Sequence, residues 1–423
     1  MQIFKFGGAS VKDAEAVRNV KNILSNESSG PIVVVISAMG KTTNALEVVL
    51  NEFWNRKDAL AKLDIVKKYH LDILKELIPD QSYLVWTELK QIFSDLEEYL
   101  QKLPQNGYDA EYDYIVSHGE IISTKIISAY LQLSGFSNQW VDARDYIVTN
   151  DLHREARVDW DVTQALISEH VGTLVQRVPV ITQGFIGSSP TKITTTLGRE
   201  GSDFTASVFA YCLDADQLVI WKDVPGILNA DPKKFPGTVK FDSLSYLDAV
   251  EMTYYGATVL HPKTIKPLQN KNIPLRVSSF LQPELPGTLI GDMTDENDDT
   301  RVPIIILKEN QSLISLSTRD YSFIAEEAIE QIFDEVVKYG IKVNVMHNSA
   351  ISFQICVDER PGSGVDFLKV LEKEFEISKE SGLELLTVKY PTENTLNQLL
   401  NHKKTLLETR SGNTVQFVLQ QIS

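Results

Sequence analysis

The sequence predicts an α/β protein built on an open, mainly parallel sheet flanked by helices. Residues 32–36, Ile-Val-Val-Val-Ile, are consecutive β-branched residues, which is typical of a strand buried on both faces. Residues 3–6 form a shorter apolar strand that leads into Gly7-Gly8 and then into a helix predicted from about Asp13. In open parallel sheets, this order of strand, glycine turn and helix builds a phosphate-binding cradle at the carboxyl end of the strand.

Polar turns follow the apolar segments of the first half of the chain. These segments, each predicted as a strand, lie at residues 3–6, 32–36, 114–116, 178–181 and 217–221. The turns after them present side chains such as Ser37, Thr43 and Glu120. Because ligands in such sheets bind beyond the carboxyl ends of the strands, the turns together predict one shared site.

The segment Thr-Thr-Thr-Leu-Gly-Arg-Glu-Gly-Ser-Asp has the densest set of functional groups. Gly198 and Gly201 allow the backbone to approach an anion closely, because neither residue has a Cβ atom. Arg199 can bind a carboxylate through two parallel hydrogen bonds, and Asp203 can orient a lysine or a metal ion. Ser202 is predicted to be the N-cap of the following helix, so that free N–H groups face a bound phosphate. An ordinary helix start is the alternative, and the neighbouring turns favour the functional interpretation.

Lys5 lies inside an apolar strand, where a lysine is costly unless it has a partner. An exposed lysine on an edge strand is the alternative, but the double glycine directly after the strand favours a phosphate-binding role. These turns contain neither the G-x-x-x-x-G-K-[ST] loop nor G-x-G-x-x-G. P-loop NTPases and dinucleotide-binding enzymes therefore fit the sequence poorly.

Composition narrows the class of protein further. With 423 residues, the chain is long enough for two or three domains. No segment approaches the roughly 20 apolar residues of a membrane span, and the net charge of −16 argues against nucleic acid and anionic membranes as partners. The N-terminus is predicted to be a strand rather than a signal peptide, and Cys212 and Cys356 to be buried thiols, so we expect a cytoplasmic protein. The histidines lack metal-ligand spacing, so no protein metal site is expected.

The turns form an ordered set of motifs that is similar to a known family. The motifs are Lys-Phe-Gly-Gly-x-Ser at 5–10, the serine–threonine loop at 37–44, Ser-His-Gly-Glu at 117–120, Leu-Gly-Arg-x-Gly-Ser-Asp at 197–203 and Asp-Val-Pro-Gly at 223–226. They resemble those of aspartate kinases, within the amino acid kinase superfamily, and they cover residues 1 to about 290. The Ser-His-Gly-Glu motif separates this branch from acetylglutamate, carbamate and uridylate kinases.

The resemblance implies an activity and a set of site residues. The reaction it implies is transfer of the γ-phosphoryl of ATP to the β-carboxylate of L-aspartate, the first step towards lysine, threonine and methionine. Mg²⁺ is expected to be held mainly by the phosphates of the nucleotide. Lys5 and Asp203 are the expected catalytic residues, and the substrate-binding residues are Ser37, Thr43, Glu120, Arg199 and Ser202. The nucleotide-binding positions are Lys5, Gly7, Gly8, Ser10, Lys222, Asp223, Leu228, Lys233, Thr258 and Val259.

Several of these positions depart from the family pattern. Ala9 replaces a threonine after the double glycine, Leu228 a tyrosine and Lys233 an arginine. Lys222 replaces a threonine, and Thr258 replaces a lysine. We expect Lys222 to compensate for the charge lost at position 258; a solvated edge lysine is the alternative.

Changes in composition predict the domain organisation. Residues 1–290 are the predicted catalytic domain, including helices over about 44–103, and residues 291–302 are a predicted acidic linker. A βαββαβ order follows in a first ACT-like domain at 303–390, with strands at 313–317, 342–346, 350–357 and 384–389 and helices at 323–339 and 365–375. Residues 391–423 are expected to form a partial second ACT-like unit with a short helix and two strands.

ACT domains sense amino acids, so the resemblance implies a regulatory site. Its expected residues are Phe323, Ile324, Asn344, Val345 and Ser349. Asn344 stands where lysine-sensitive relatives often have an aspartate, so lysine, threonine and the absence of an effector all stay open. A purely structural dimerisation domain is the further alternative. We expect a homodimer or homotetramer assembled through the ACT domains.

Two other functions stay open at this point. One is a different acid or amino acid kinase of the superfamily, and the other is a catalytically silent amino-acid sensor with the same fold. The intact Lys5, Glu120, Arg199 and Asp203 favour an enzyme. A fused homoserine dehydrogenase domain is not expected, because the sequence stops with the ACT-like region.

Overall fold

Two compact units make up the structure. The computed structural model describes residues 1–28, 30–257, 259–293, 301–320, 322–359 and 364–422. The first unit comprises Met1–Ile227, Lys240–Val250 and Val259–Thr294, and the second comprises Leu228–Val239, Glu251–Thr258 and Asp295–Ser423. Two segments that precede residue 290 therefore belong to the second unit. Most of the predicted acidic linker, residues 294–300, lies outside the described residues.

A mainly parallel sheet forms the centre of the first unit. The strands before residue 300 are β1 (Gln2–Phe6), β2 (Ile32–Ile36), β3 (Gln139–Trp140), β4 (Val180–Gln183), β5 (Ile186–Ser188), β6 (Thr194–Thr196), β7 (Gln217–Lys222), β8 (Ser243–Ser245), β9 (Leu275–Ser279) and β10 (Thr288–Gly291). The sheet has the order β3-β4-β2-β1-β7-β9-β10-β8, in which β9 and β10 pair antiparallel and the other neighbours pair in parallel. β5 and β6 form a separate antiparallel pair. The predicted α/β class is confirmed.

Helices cover this sheet. Those before residue 300 are α1 (Ala14–Glu27), α2 (Thr42–Trp54), α3 (Ala59–Leu77), α4 (Leu84–Leu100), α5 (Tyr108–Leu133), α6 (Trp160–Leu166), α7 (Gly172–Val175), α8 (Gly201–Cys212), α9 (Tyr246–Tyr255) and α10 (Pro262–Asn270). The helices predicted between residues 44 and 103 are confirmed as α2 to α4. Asp13 caps α1, because its side chain accepts a hydrogen bond of 2.8 Å from the Ala16 N–H.

The core of the first unit lies between the central strands and the helices. Every residue of β2 is buried, as expected for a strand with neighbours on both edges and helices on both faces. Phe4 and Phe6 on β1 pack against Trp221 on β7, and the Phe6 and Trp221 rings are stacked 6.0 Å apart. This packing fixes the ends of β1 and β7, from which Lys5 and Lys222 project.

The strand predicted at residues 114–116 is wrong, because these residues lie within α5. Three apolar residues cannot distinguish a strand from a buried helix segment, and here the surrounding helical spacing decides. Ile115, Ile122 and Ile126 recur at helical spacing and are all buried. Glu120 therefore projects from a helix that covers the sheet, and not from the end of a strand.

An antiparallel sheet forms the second unit. Its strands are β11 (Ile304–Thr318), β12 (Val343–Asn348), β13 (Ser352–Asp358), β14 (Phe375–Lys389), β15 (Lys403–Ser411) and β16 (Thr414–Gln421), and its helices are α11 (Glu326–Lys338), α12 (Gly364–Leu371) and α13 (Glu393–Leu400). The strand order is β12-β13-β11-β14-β16-β15. The βαββαβ order predicted for residues 303–390 is confirmed. Gly340 has a φ of 60°, in the left-handed region expected just after α11.

The two ACT-like parts share strands. β11 and β14 pair along most of their length, from Ile304 opposite Lys389 to Thr318 opposite Phe375. β13 extends the sheet beside the later part of β11, and β16 extends it beside the later part of β14. The predicted strands at 313–317 and 384–389 are therefore too short. Polar residues such as Lys308 and Glu380 interrupt the apolar pattern, although the strands continue through them.

Composition also predicted that no segment spans a membrane and that both cysteines are buried thiols. Within the described ranges, no helix is both long enough and apolar enough to cross a membrane. Cys212 and Cys356 are both buried free thiols, as expected. Burial raises the pKa of each thiol to about 12, so neither is a reactive thiolate at neutral pH.

Candidate functional site

A cleft of about 990 Å³ opens at the carboxyl edge of the parallel strands in the first unit. Most of the predicted polar turns contribute to its lining. The sequence-predicted residues among the lining are Lys5, Gly7, Gly8, Ser10, Ser37, Thr43, Glu120, Arg199, Ser202, Lys222 and Asp223. The parallel register of β2, β1 and β7 brings these turns together, because their carboxyl ends meet at the same edge.

A buried ion cluster lies at the centre of this edge. Asp203, in the first turn of α8, has no solvent exposure. Lys5 Nζ lies 2.6 Å from Asp203 Oδ1, and Lys222 Nζ lies 3.1 Å from Asp203 Oδ2. Lys5 is itself buried between Val35 on β2 and Ile220 on β7. The predicted pairing of a strand lysine with Asp203 is thus present in the structure, with Lys222 as a second cation.

The two lysines keep the Asp203 carboxyl ionised. Burial alone raises the pKa of the Asp203 carboxyl, but the Lys5 and Lys222 ammonium groups outweigh it and lower the pKa to about 2. Lys222 also donates a hydrogen bond to the Val259 carbonyl and lies 4.0 Å from Glu200. Two positive charges therefore line the floor of the cleft, held in place by one buried negative charge.

The double glycine allows the backbone of the first turn to lie close to the loop after β2. A Cβ atom on Gly8 would lie 2.7 Å from the Gly40 carbonyl oxygen and 2.9 Å from that of Ala38. Only glycine fits between the first turn and the loop after β2. Ser10 is buried, and its hydroxyl donates to the Trp221 carbonyl at 3.4 Å. Its side chain therefore ties the glycine turn to the end of β7.

The loop after β2 provides the predicted hydroxyl groups. The Ser37 N–H donates to the Phe6 carbonyl at 3.1 Å, and the Ser37 carbonyl accepts from the Ser123 hydroxyl at 2.7 Å. Thr43 lies in the first turn of α2. Both Ser37 and Thr43 line the cleft.

Glu120 differs from Asp203 because it forms no ion pair with any of the described residues. It is buried, and its Oε2 atom has no hydrogen-bond partner among the described residues. Burial raises the pKa of the Glu120 carboxyl to about 8, although the Ala38 N–H and the Lys5 ammonium act to lower it. A buried, unsatisfied carboxyl group beside a cleft is suited to bind a cationic group of a ligand.

The turn before α8 brings Arg199 to the cleft. Gly198 and Glu200 both adopt positive φ angles, 79° and 54°, and α8 begins at Gly201. The prediction that Ser202 is the N-cap is wrong, because this tight turn starts the helix earlier and Glu200 occupies the cap position. Ser202 instead lies in the first helical turn, where it lines the cleft. Arg199 is exposed and has no ion pair within the described part of the chain.

Four predicted nucleotide-binding positions do not belong to this described lining. Val259 lies in the first unit, where its carbonyl accepts a hydrogen bond from Lys222. Leu228 and Lys233 fall in the second compact unit. Thr258 lies outside the described residues. Their predicted roles, including the suggested exchange of charge between positions 222 and 258, stay predictions.

A loop that the sequence analysis missed forms another wall of the cleft. Its lining residues are Leu152, His153, Arg154 and Glu155. The loop is attached to Asp113, a fully buried residue of α5 whose pKa is raised by burial. The available signal was the spacing of Asp113 and Glu120, because acids seven residues apart lie on the same face of a helix.

The predicted regulatory residues lie in the second unit with different exposures. Phe323 is 77% exposed, whereas Ile324 and Val345 are buried. The Asn344 side chain is fully engaged: its carbonyl accepts from Lys308 Nζ at 2.9 Å, and its amide donates to Gln311 and Asp358, each at 2.8 Å. Ser349 bonds through its hydroxyl to Ser352.

Comparison with known proteins identifies relatives of this site. The profile of the amino acid kinase family matches residues 1–279. The chain is 32% identical over 361 residues to the lysine-sensitive aspartokinase 3 of Escherichia coli, covering 84% of this chain and 78% of that protein. It is also 32% identical over 364 residues to the chloroplastic bifunctional aspartokinase/homoserine dehydrogenase 1 of Zea mays, covering 84% of this chain. The chain spans 39% of the length of that maize protein.

Solved structures of similar proteins cover nearly the whole chain. Escherichia coli aspartokinase III in complex with lysine and aspartate matches with a TM-score of 0.83 and 27% identity, over 100% of this chain and 96% of that one. The same enzyme in complex with aspartate and ADP matches with a TM-score of 0.82 and 26% identity, over 99% and 96% of the two chains.

The raised pKa of Glu120 predicts a pH-dependent cost to stability. Between the ordinary value of 4.5 and about 8, Glu120 is protonated in the folded chain and ionised in the unfolded one, so stability falls as pH rises through this window. Glu120→Gln removes the cost and should raise the free energy of unfolding by on the order of 3 kcal/mol at pH 8 and by little at pH 5. Urea unfolding at pH 5, 6.5 and 8 measures the difference. The control is Glu155→Gln, an exposed cleft residue; equal gains from both variants at every pH contradict the prediction.

Proposed function

Because the chain belongs to the aspartokinase branch of the amino acid kinase family, we propose that it is an aspartate kinase. The proposed reaction transfers the γ-phosphoryl group of ATP to the β-carboxylate of L-aspartate, giving 4-phospho-L-aspartate and ADP. The observation that supports it most strongly is the Lys5–Asp203–Lys222 cluster beside the double-glycine turn. It places two cations in the cleft where an acyl phosphate forms from anionic reactants.

The chemistry needs alignment and charge neutralisation rather than a base. A β-carboxylate with an ordinary pKa of about 3.9 is already ionised at neutral pH. One of its oxygens attacks the γ-phosphorus, and the bond from that phosphorus to the bridging oxygen of ADP breaks. Lys5 lies at the sheet edge where both anions meet, so its ammonium stabilises the charge that spreads over the transferring group. Asp203 fixes the direction of the Lys5 ammonium through their ion pair.

Nucleotide binding is assigned to the glycine turn and the end of β7. The backbone of Gly7 and Gly8 can approach phosphate oxygens because no Cβ atom blocks them. Lys222 adds a cation beside these phosphates, and Ser10 holds the turn to β7.

Magnesium fits this site through the nucleotide. In the described chain, no group of three or more acidic, histidine or cysteine side chains is arranged to hold a metal ion. Both Asp203 oxygens face lysines, whereas Asp223 directly after β7 is a lining carboxylate that would hold a phosphate-bound Mg²⁺ in this proposal. When bound, the ion neutralises phosphate charge and orients the transferring group.

Glu120 and Arg199 determine the acceptor in this proposal. Glu120 binds the α-ammonium of aspartate, which supplies the cation that the buried carboxyl lacks. Arg199 binds one carboxylate as a two-pronged donor, and Ser37, Thr43 and Ser202 donate to the remaining oxygens. An N-acetylated acceptor has no ammonium, so it leaves Glu120 unpaired and is rejected.

Regulation and assembly are assigned to the second unit. We propose that the chain forms a homo-oligomer by pairing through the edge strand β12, on which Met346 is exposed. We also propose that an amino acid effector binds this unit. Lysine is the proposed effector, because a similar structure contains lysine. The two buried free thiols fit a reducing compartment such as the cytoplasm.

The activity itself predicts a specific product. Incubation with ATP, Mg²⁺, L-aspartate and hydroxylamine should give a hydroxamate, since hydroxylamine traps acyl phosphates. N-acetylglutamate should give less than about 1% of that signal, because it lacks the ammonium that pairs with Glu120. L-glutamate should give at least about tenfold less signal than aspartate, because its extra methylene group moves the side-chain carboxylate away from its position in the site. UMP should release no ADP. Glu120→Gln is the matched control and should lose the aspartate signal while remaining folded. Binding of ATP without product from any acceptor would instead indicate a silent sensor.

Lys222 predicts a nucleotide-specific effect. Lys222→Met should raise the KM for ATP by about five- to tenfold, because it removes one charged contact, and should change the KM for aspartate less. Steady-state kinetics with each substrate varied in turn measures both values. Lys192→Met, with an ammonium that is 71% exposed and lies outside the described lining, is the control. An unchanged KM for ATP would show that Lys222 serves only its ion pair with the buried Asp203 and does not contact the nucleotide.

Asn344 predicts how the proposed effector binds. Because Lys308 already donates to the Asn344 carbonyl, an effector ammonium that uses this carbonyl competes with Lys308. Lys308→Met should therefore lower the lysine concentration for half-inhibition by about tenfold, as expected for one freed hydrogen bond to a charged group. Inhibition curves with lysine and threonine measure it, with Lys338→Met on the surface of α11 as the control. Equal curves for wild type and Lys308→Met contradict this role of Asn344.

A further inference from the structure

The loop at residues 152–155 is held against the cleft by one buried carboxylate. Asp113 lies on α5 seven residues before Glu120, so both side chains project from the same face of the helix. Asp113 has no solvent exposure, and this burial raises the pKa of its carboxyl group. A buried acid requires partners, and all those recorded for Asp113 lie on the walls of the cleft or next to them.

The hydrogen bonds of Asp113 connect three elements. Its Oδ1 accepts from the Thr196 hydroxyl at 2.6 Å and from the Arg154 N–H at 3.1 Å. Its Oδ2 lies 2.7 Å from Nδ1 of His153. Thr196 ends β6, directly before the turn that contains Arg199. Asp113 thus joins α5, the 152–155 loop and the Arg199 turn.

The backbone of Arg154 is held in an uncommon conformation. Its φ of 65° lies in the left-handed region, which non-glycine residues adopt when their surroundings impose it. The bond from its N–H to Asp113 fixes one side, and Gly198 packs against the other. A Cβ atom on Gly198 would lie 3.1 Å from the Arg154 carbonyl oxygen. These contacts therefore fix the backbone position from which the Arg154 side chain projects.

The Arg154 guanidinium lies at the cleft and is only weakly engaged. It sits 4.5 Å from the centre of the Tyr112 ring, and Nη1 lies 3.2 Å from Asp109 Oδ1. The side chains of Arg154 and Asp109 are 47% and 60% exposed, and an exposed ion pair contributes little free energy. An anion in the cleft can therefore replace Asp109 as the partner, with the Tyr112 ring still supporting the guanidinium plane.

We propose that Arg154 is a further anion-binding residue of this cleft and that Asp113 is its positioning residue. This inference rests on the proposed kinase function. The ligand group is an anionic oxygen group, either a carboxylate of the acceptor or a phosphate of the nucleotide. Arg154 then complements Arg199, and the two arginines are held on adjoining turns by the same carboxylate.

Arg154→Gln tests the binding role, and Arg157→Gln is the matched control. Arg157 is an exposed arginine of the same loop that lies outside the described lining. Arg154→Gln should raise one KM about tenfold, as expected for loss of a charged hydrogen bond, with kcat changed less than about twofold. A rise in the KM for aspartate identifies the carboxylate, and a rise in the KM for ATP identifies a phosphate. Arg154→Lys should recover part of the loss, because it keeps the charge but not the planar fork.

Direct binding separates this inference from the proposed reaction. Titration calorimetry with ATP and Mg²⁺, and separately with L-aspartate, should show a matching increase in Kd for the ligand whose KM rises in Arg154→Gln. This increase is measurable even if no product forms. If wild type binds both ligands without making product, the reaction is wrong while Arg154 stays testable by Kd. Equal KM and Kd values for Arg154→Gln and Arg157→Gln would overturn the binding role.

A double-mutant cycle tests the positioning role. Asp113→Asn should cause the same type of loss as Arg154→Gln, and adding Arg154→Gln to it should cost less than about twofold more, since the two residues act as a unit. A full additional loss in the double variant would overturn the positioning role. If circular dichroism shows that Asp113→Asn does not fold, Asp113→Glu replaces it in the same cycle, because it retains the charge and moves the carboxylate by one methylene group.

Discussion

The cleft depends on the buried carboxylate of Asp203 between two lysines. A charge without contact to solvent is costly unless cations lie beside it, and removing one partner leaves the others uncompensated. Lys5 and Lys222 come from the neighbouring strands β1 and β7, and Asp203 comes from the first turn of α8. The ion cluster therefore fixes how α8 docks on the sheet and where the turn with Arg199 lies.

The pKa values of Glu120 and Asp203 are shifted in opposite directions, although both side chains lie in the same cleft. Both carboxyl groups are buried, yet the pKa of Asp203 is lowered by two lysines whereas burial raises the pKa of Glu120. Asp203 thus forms ion pairs with two lysines, whereas Glu120 Oε2 has no hydrogen-bond partner among the described residues. A ligand with an ammonium group and carboxylates complements this arrangement, because each of its charges meets an opposite one. In the proposed reaction, discrimination between acceptors follows from the ammonium group that pairs with Glu120.

Sequence patterns predicted those features that depend on short stretches of chain. The glycine turn and β2 follow from local spacing and from the rule that ligands bind at strand ends. The pairing of Lys5 with Asp203 is a long-range contact that was expected from the resemblance of the motifs to those of aspartate kinases. The strand expected before Ser117 is instead part of α5, because a short apolar run has no period of its own. Arg154 was not found, since its position depends on contacts of Asp113 with residues about 40 and 80 positions away. Such long-range contacts leave no local pattern.

The cations of the cleft are already held in position by side chains of the protein. Lys5 and Lys222 share Asp203, and Arg154 rests on Tyr112 beside Asp109. These pairs differ in strength, because the lysine pairs surround a buried carboxylate whereas the Arg154 pair is exposed to water and to salt. An arriving anion therefore displaces the weak partner of Arg154 and leaves the lysine cluster intact. In the proposed reaction, such a cleft reorganises little when phosphate and carboxylate charges enter, and a fixed arrangement of charges stabilises a transferring phosphoryl group.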